Sequence, residues 1–252
     1  MKQEKNLTLL QMESPSISQL AQASQSAYSS VYTVPDNYSR VNDLSSDNIS
    51  TFKHNTDKNY MVSHRGTDLS SDTKTKQITS DLGILVGNRN HDKLHKQRTI
   101  ETERIVKSIK DTDPEHKVYL TGHSLGGSTA HHAMVKNPYV RENVTELHTF
   151  NAATSPLQSK GLSKSNKAYR VIENKSTHHR IAGDEISASI KSNLIGKHKT
   201  YKNTQKPSLG KAILNMTSPL VTGSPLGGLA HFAANKIVDT MSSHSLSNFI
   251  KK

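Results

Sequence analysis

Gly122-His123-Ser124-Leu125-Gly126 is the stretch of this chain best suited to covalent chemistry, and Gly127 follows at once. It fits the G-x-S-x-G pattern of a nucleophilic serine held on a sharp turn between a strand and a helix. A serine hydroxyl is a weak nucleophile. It needs a general base, and the base needs a carboxylate to orient it. In the order serine, acid, histidine, the acids after Ser124 are Glu142, Glu146, Glu173, Asp184, Glu185 and Asp239. A serine-rich chain can also meet the pattern by chance, and the motif is then a glycine-rich surface turn. The setting separates the two: a strand before, a helix after, and a backbone too crowded for side chains at the flanking positions.

The surrounding sequence supplies that setting. Val118-Tyr119-Leu120 reads as a strand leading straight into the motif, and LGGSTAHHAMVKN as a helix that stops before Pro138. Upstream, residues 16–30 place Ile17, Leu20, Ala21, Ala27 and Tyr28 at helical spacing. Residues 35–58 are polar and turn-rich, and Tyr60-Met61-Val62 is a short strand. Residues 68–81 are almost wholly polar and read as a loop, and Leu82–Val86 is an apolar run. Residues 94–110 predict an amphipathic helix with Thr102, Ile105, Val106 and Ile109 on one face, ended by Asp113-Pro114. Leu147–Asn151 and Ala168–Glu173 read as two further strands, and residues 226–241 as a helix with an apolar stripe. The alternation implies a largely parallel sheet with helices on its faces. Residues 1–15 read as a flexible leader and 16–252 as a single domain.

At this point the chain resembles a known family. GHSLGG is the serine motif of the class 3, fungal-lipase-like lipases. SHRGT at 63–67 looks like their strand and loop carrying an oxyanion donor, and ITSDLGI at 78–84 like the segment after the lid. HTFNAATSP at 148–156 resembles the strand after the nucleophile helix, RIAGDEIS at 180–187 the loop with the acid, and HSLSNFI at 244–250 the segment with the histidine. The resemblance implies an α/β-hydrolase fold, a mostly parallel central sheet with helices on both faces, and hydrolysis of lipid esters. By resemblance, Thr67 gives one oxyanion donor. The other is the Leu125 N–H, which follows the nucleophile. Position 64 is histidine where the family commonly has an aromatic.

The residues narrow the site further. Asp184 follows the AYRVIE segment and a short polar loop, where a carboxylate at a strand's C-terminal edge belongs; Glu173 is the runner-up. The histidines after Asp184 are His198, His231 and His244. His198 sits among lysines, which disfavour an imidazolium. His231 lies on the apolar helix. His244 lies in a polar segment just past it and is the expected base. His178 and His179 precede the acid and read as loop residues. No spacing of metal-ligating residues is present, so neither metal nor cofactor is expected.

Composition bounds the alternatives. The chain has 252 residues, no cysteine and a net charge of +12. It therefore has no disulfide framework and no thiolate chemistry. The start of the chain lacks an apolar region long enough for a secretory signal, and no window approaches a membrane span, so the protein reads as soluble or peripheral to membranes. Between Glu185 and Asp239 there is no acidic residue but there are seven lysines, at 191, 197, 199, 202, 206, 211 and 236. That charge suits an anionic membrane surface. It also raises a nucleic-acid reading, but aromatics are only 5%, there is no Trp, and no stacking motif interleaves with the lysines, so no nucleic-acid partner is expected. Two other classes stay open: a catalytically idle hydrolase scaffold used for binding, and an esterase for small soluble esters.

Overall fold

The computed structural model describes residues 13–28, 34–66, 89–152, 162–184, 194–204 and 245–250. Among these, seven strands form one sheet whose spatial order follows the chain: β1 Tyr38–Arg40, β2 Ile49–His54, β3 Asn59–His64, β4 Lys117–His123, β5 Glu146–Phe150, β6 Ser176–Ile181 and β7 Lys197–Tyr201. The first two pairings are antiparallel and the four from β3 to β7 are parallel. The helices are α1 Ile17–Ser26, α2 Arg89–Thr112, α3 Leu125–Lys136, α4 Pro138–Asn143 and α5 Lys167–Lys175.

Alternation along the strands feeds two cores, because successive side chains point to opposite faces. Val118 and Leu120 join Ile105, Val106 and Ile109 of α2, Met134 of α3 and Ile172 of α5 on one face. Tyr119 and Met61 join Leu20 and Ala21 of α1, with Leu246 and Phe249, on the other. Helices thus cover both faces, as expected. α1 begins at a capping box in which the Ser16 hydroxyl accepts from Gln19 N and the Gln19 side chain accepts from Ser16 N. Its Ser24 hydroxyl bonds Thr121 of β4 at 2.8 Å. Residues 13–15 lie against the same sheet, where the Tyr119 hydroxyl donates to Ser14 Oγ and Asn59 Nδ2 to the Glu13 carbonyl.

Four expectations need correction. Residues 35–58, read as turns, contain β1 and β2; the Ile49–Phe52 end of β2 is buried although polar residues interrupt it. Ala168–Glu173, read as a strand, belongs to α5. Asn166 caps that helix through a 2.8 Å bond from Ala168 N, and Ile172 is its buried residue. Six residues are too few to separate the two periods, and the cap decides. His178 and His179, read as loop residues, lie in β6, and His198 lies in β7, where no strand was expected. α4, with Pro138 in its first turn, was also unforeseen. The 68–81 loop, the Leu82–Val86 run and the 226–241 helix lie outside the described residues.

β6 is held by rings as much as by aliphatic packing. Glu146 Oε2 lies 2.8 Å from His148 Nε2, His148 Nδ1 lies 3.1 Å from His179 Nε2, and His179 Nδ1 lies 2.9 Å from the Tyr201 hydroxyl. On the opposite face His178 bonds Thr149 at 2.8 Å and the Ile195 carbonyl at 3.1 Å. Burial first, then neighbouring histidines, pushes His179 down to about 3. Burial does the same to His178.

Candidate active site

Ser124 is the single residue between β4 and α3. Its φ is 54° and its ψ −124°, a conformation side chains rarely adopt. The neighbouring backbone holds it there: Ser124 N donates to the Phe150 carbonyl at 3.0 Å, and Ser128 N donates to the Ser124 carbonyl at 3.2 Å. The Ser124 side chain makes no capping bond to α3, so its hydroxyl is not spent on the helix start. The residue is half-exposed at the C-terminal end of a central strand.

The glycines around it answer to space. A Cβ on Gly122 would come within 2.5 Å of Gly126 C, and one on Gly126 would collide with the His64 carbonyl. A Cβ on Gly127 would meet Ala152 Cβ at 2.8 Å and the Gly122 carbonyl at 2.9 Å. The turn exists because strand, turn and helix backbones lie closer than side chains allow. That is not a surface turn. Leu125 opens α3, and its N–H is among those a helix leaves without an internal partner; the helix start also favours negative charge nearby.

The end of β3 lies abreast of this turn, with His64 in register with Gly122. His64 is fully buried, 3.0 Å from the Thr129 hydroxyl of α3 and 3.0 Å from the Thr102 hydroxyl of α2. An imidazole with both nitrogens occupied thus fills a position where an aromatic would need only apolar neighbours. Burial, then the Arg98 charge, holds its pKa well below the usual histidine value. Gly66 touches the Tyr28 hydroxyl and His123. The Tyr28 hydroxyl in turn lies 2.8 Å from His123 Nδ1. Thr67 lies outside the described residues.

β5 and β6 end beside the turn. Asn151 has a φ of 44° and is fully buried. It donates its N–H to the His179 carbonyl at 2.8 Å, and its side-chain oxygen accepts from Ile181 N at 2.9 Å. The Phe150 carbonyl that receives Ser124 N is one residue away, so the serine turn and the end of β6 are tied through a single dipeptide. Past β6, Gly183 has a φ of 86° and Asp184 N bonds back to the Ile181 carbonyl at 3.2 Å. Asp184 is 1% exposed. Glu173 lies on the exposed side of α5, which leads into the N-terminal end of β6, the opposite end of the sheet from Ser124. His198 Nε2 is 3.2 Å from the Leu194 carbonyl on β7. His231 and His244 lie outside the described residues. The chain is described again from Ser245, one residue past His244. Phe249 packs there on Phe150 at 4.9 Å and Tyr201 at 5.5 Å between ring centroids.

No role at the site was read from sequence for Asn151, Tyr28 or Arg98; Tyr28 fell only on the helical stripe of residues 16–30, and Asn151 at the end of the Leu147–Asn151 strand. Among the described residues no group of three or more His, Asp or Glu could hold a metal ion, and no helix is long and apolar enough to cross a membrane.

Residues 61–175, from β3 to the end of α5, match the family model of class 3 lipases. Over that segment the chain is similar to the class 3 lipases. The sheet itself is mostly parallel, with helices packed on both of its faces. Ser124 and Leu125 fall inside the matched segment; Asp184 and His244 fall beyond it. A solved structure of Rhizomucor miehei triacylglyceride lipase is similar at 13% identity with a TM-score of 0.43, covering 89% of this chain and 96% of that one. No curated protein matches the chain.

Proposed function

We propose that this class 3 lipase relative is a serine hydrolase that cleaves the ester bonds of triacylglycerols or phospholipids through an acyl-enzyme. Ser124 Oγ attacks the ester carbonyl carbon while His244 takes its proton. The tetrahedral oxyanion is held by the N–H groups of Leu125 and Thr67. Collapse expels the alcohol, which receives the proton from His244. Water then gives a proton to His244, attacks the acyl-enzyme, and releases the fatty acid as the proton returns to Ser124. Asp184 orients His244. The observation that carries this reading is the Ser124 backbone at φ 54°, locked among glycines that admit no Cβ. Burial of Asp184 at the end of β6, and the anchoring of Phe249 beside Phe150, support the acid and base assignments.

A fluorophosphonate probe should label Ser124 in the wild type and nothing in Ser124→Ala. Labelling that persists in a folded Ser124→Ala protein would overturn the mechanism. His244→Ala should lower kcat by several orders of magnitude, and His198→Ala should leave most activity.

The substrate surface is anionic on this reading. Lys197, Lys199 and Lys202 are exposed on and just after β7, and each lysine near an anionic bilayer contributes on the order of 1 kcal/mol. Turnover on mixed micelles should rise with anionic phospholipid, and the gain should shrink as salt shortens the Debye length to about 3 Å at 1 M. Equal rates on neutral and anionic micelles at low salt would show that these lysines do not serve the substrate.

A further inference from the structure

Arg98 is a helix residue that reaches the wrong kind of partner for an ordinary ion pair. It sits on α2, only 5% exposed. Its Nη1 donates to the Arg65 carbonyl and, at 3.3 Å, to Thr129 Oγ1; its Nη2 donates to Asn48 Oδ1 at 3.4 Å. Thus one guanidinium joins the end of β3, the nucleophile helix α3 and the residue before β2. Asn48 closes the arrangement, because its carbonyl accepts from Arg65 N at 2.8 Å. The acceptors are neutral, and Nε has no hydrogen-bond partner among the described residues.

A buried cation held this way is a poor stabilising device, since an apolar group of similar shape is often as good for the fold. What it does is directional. The Arg65 carbonyl and the Gly66 N–H belong to one planar unit, so fixing the carbonyl fixes the Gly66 amide as well. Gly66 is confined on its other side, where a Cβ would strike the Tyr28 hydroxyl and come within 2.7 Å of the His123 carbonyl. The peptide is therefore gripped from α2 and backed by the residue that precedes Ser124.

We infer that Arg98 is a positioning residue for the reaction: it fixes the Arg65–Gly66 peptide beside the Ser124 turn. The link to turnover rests on the serine-hydrolase reading above, in which Thr67 gives an oxyanion donor. Lysine cannot replace it fully, because a single ammonium lacks the planar fork that spans three acceptors.

The test uses Arg98→Met and Arg98→Lys in the full chain, with steady-state kinetics on a p-nitrophenyl ester and amide hydrogen exchange at Gly66. The Met variant should lose about 10- to 100-fold in kcat, the scale of a displaced catalytic group, with KM changed less than about twofold. Exchange at Gly66 should rise while the β4 amides stay protected. The Lys variant should fall between Met and wild type in both readouts. A folded Met variant with wild-type kcat and wild-type exchange at Gly66 overturns the inference. If the Met variant does not fold, the Lys variant decides, and wild-type values there overturn it equally. If the wild type hydrolyses no ester, the serine-hydrolase reading is what fails, and exchange at Gly66 alone then decides whether Arg98 holds the peptide.

Discussion

The centre of the sheet and its β6–β7 side solve one packing problem by opposite means. Around Gly122, backbone meets backbone: Gly122, Gly126 and Gly127 leave no room for a Cβ against α3, Ala152 and the end of β3. Around His178 and His179, side chains fill the space. These are imidazoles bonded to Thr149, His148, Tyr201 and the Ile195 carbonyl, and stacked on Phe150. The first arrangement holds the Ser124 turn tightly against its neighbours and tolerates no added volume. The second depends on the neutral form of its rings. Damage to the centre should therefore appear as lost chemistry or steric collapse, and damage to the side as sensitivity to acid.

The largest expected effect is the sharpest test of the centre. Ser124→Ala should lower ester turnover by about 10⁴- to 10⁶-fold with an unchanged melting temperature, since alanine keeps the Cβ and the lost hydroxyl makes no capping bond to α3. A large loss of stability would mean that the hydroxyl serves the fold. Gly126→Ala comes next. The obstacle is the backbone of His64, which cannot turn aside, so denaturant unfolding should show a loss of about 3 kcal/mol. A well-folded, active Gly126→Ala protein would break the contrast.

The histidine side should respond to pH. The folded pKa values of His178 and His179 are about 3, against an ordinary 6.5, so between those values the unfolded chain binds protons that the folded chain refuses. Stability is then complete above about pH 6.5 and falls as pH drops toward 3, by about 1.4 kcal/mol per pH unit for each ring. Chemical denaturation at pH 7 and pH 5 should resolve it. Equal stabilities would mean that the rings are not neutral and buried, despite the His148, Lys199 and Tyr201 neighbours around His179. The smallest effect belongs to Gly183, where nothing lies within 4 Å but φ is 86°. Gly183→Ala should cost about 1 kcal/mol, from backbone conformation alone, and thermal unfolding can read it.

The same contrast explains what could be read from sequence. β4 was legible because Val118, Tyr119 and Leu120 are strand formers placed directly before a motif with its own steric logic. The α2 face was legible because Thr102, Ile105, Val106 and Ile109 recur at helical spacing, and all are buried. Ser-Thr-His-His-Arg-Ile offers no such pattern. Its burial depends on bonds to Thr149 and His148, about thirty residues away, and no local periodicity encodes a partner at that distance. β7, Lys-His-Lys-Thr-Tyr, is the outermost strand among the described residues and largely exposed; lysines on such an edge also discourage pairing with other chains. In the site, the serine turn was readable from five residues. The grip of Arg98 on Arg65 was not, because on a helical pattern an arginine reads as solvated surface.

The chain-order arrangement of the strands has a consequence in time. Each strand from β2 to β7 docks on the strand made just before it, so the sheet can lengthen in one direction as the polypeptide is synthesised. Some contacts wait for distant partners: the Ser24–Thr121 bond, 97 residues apart, waits until β4 appears, and the packing of α1 on Leu246 and Phe249 waits until the end of the chain. Ser124 and its glycine packing are complete once β5 and Ala152 are in place, whereas the segment from Ser245 to Phe249 follows every strand among the described residues. On the proposed assignment, a nascent chain carries a finished but unactivated serine from the time Ala152 is in place until His244 is made. It gains hydrolytic power only when the segment anchored by Phe249 arrives.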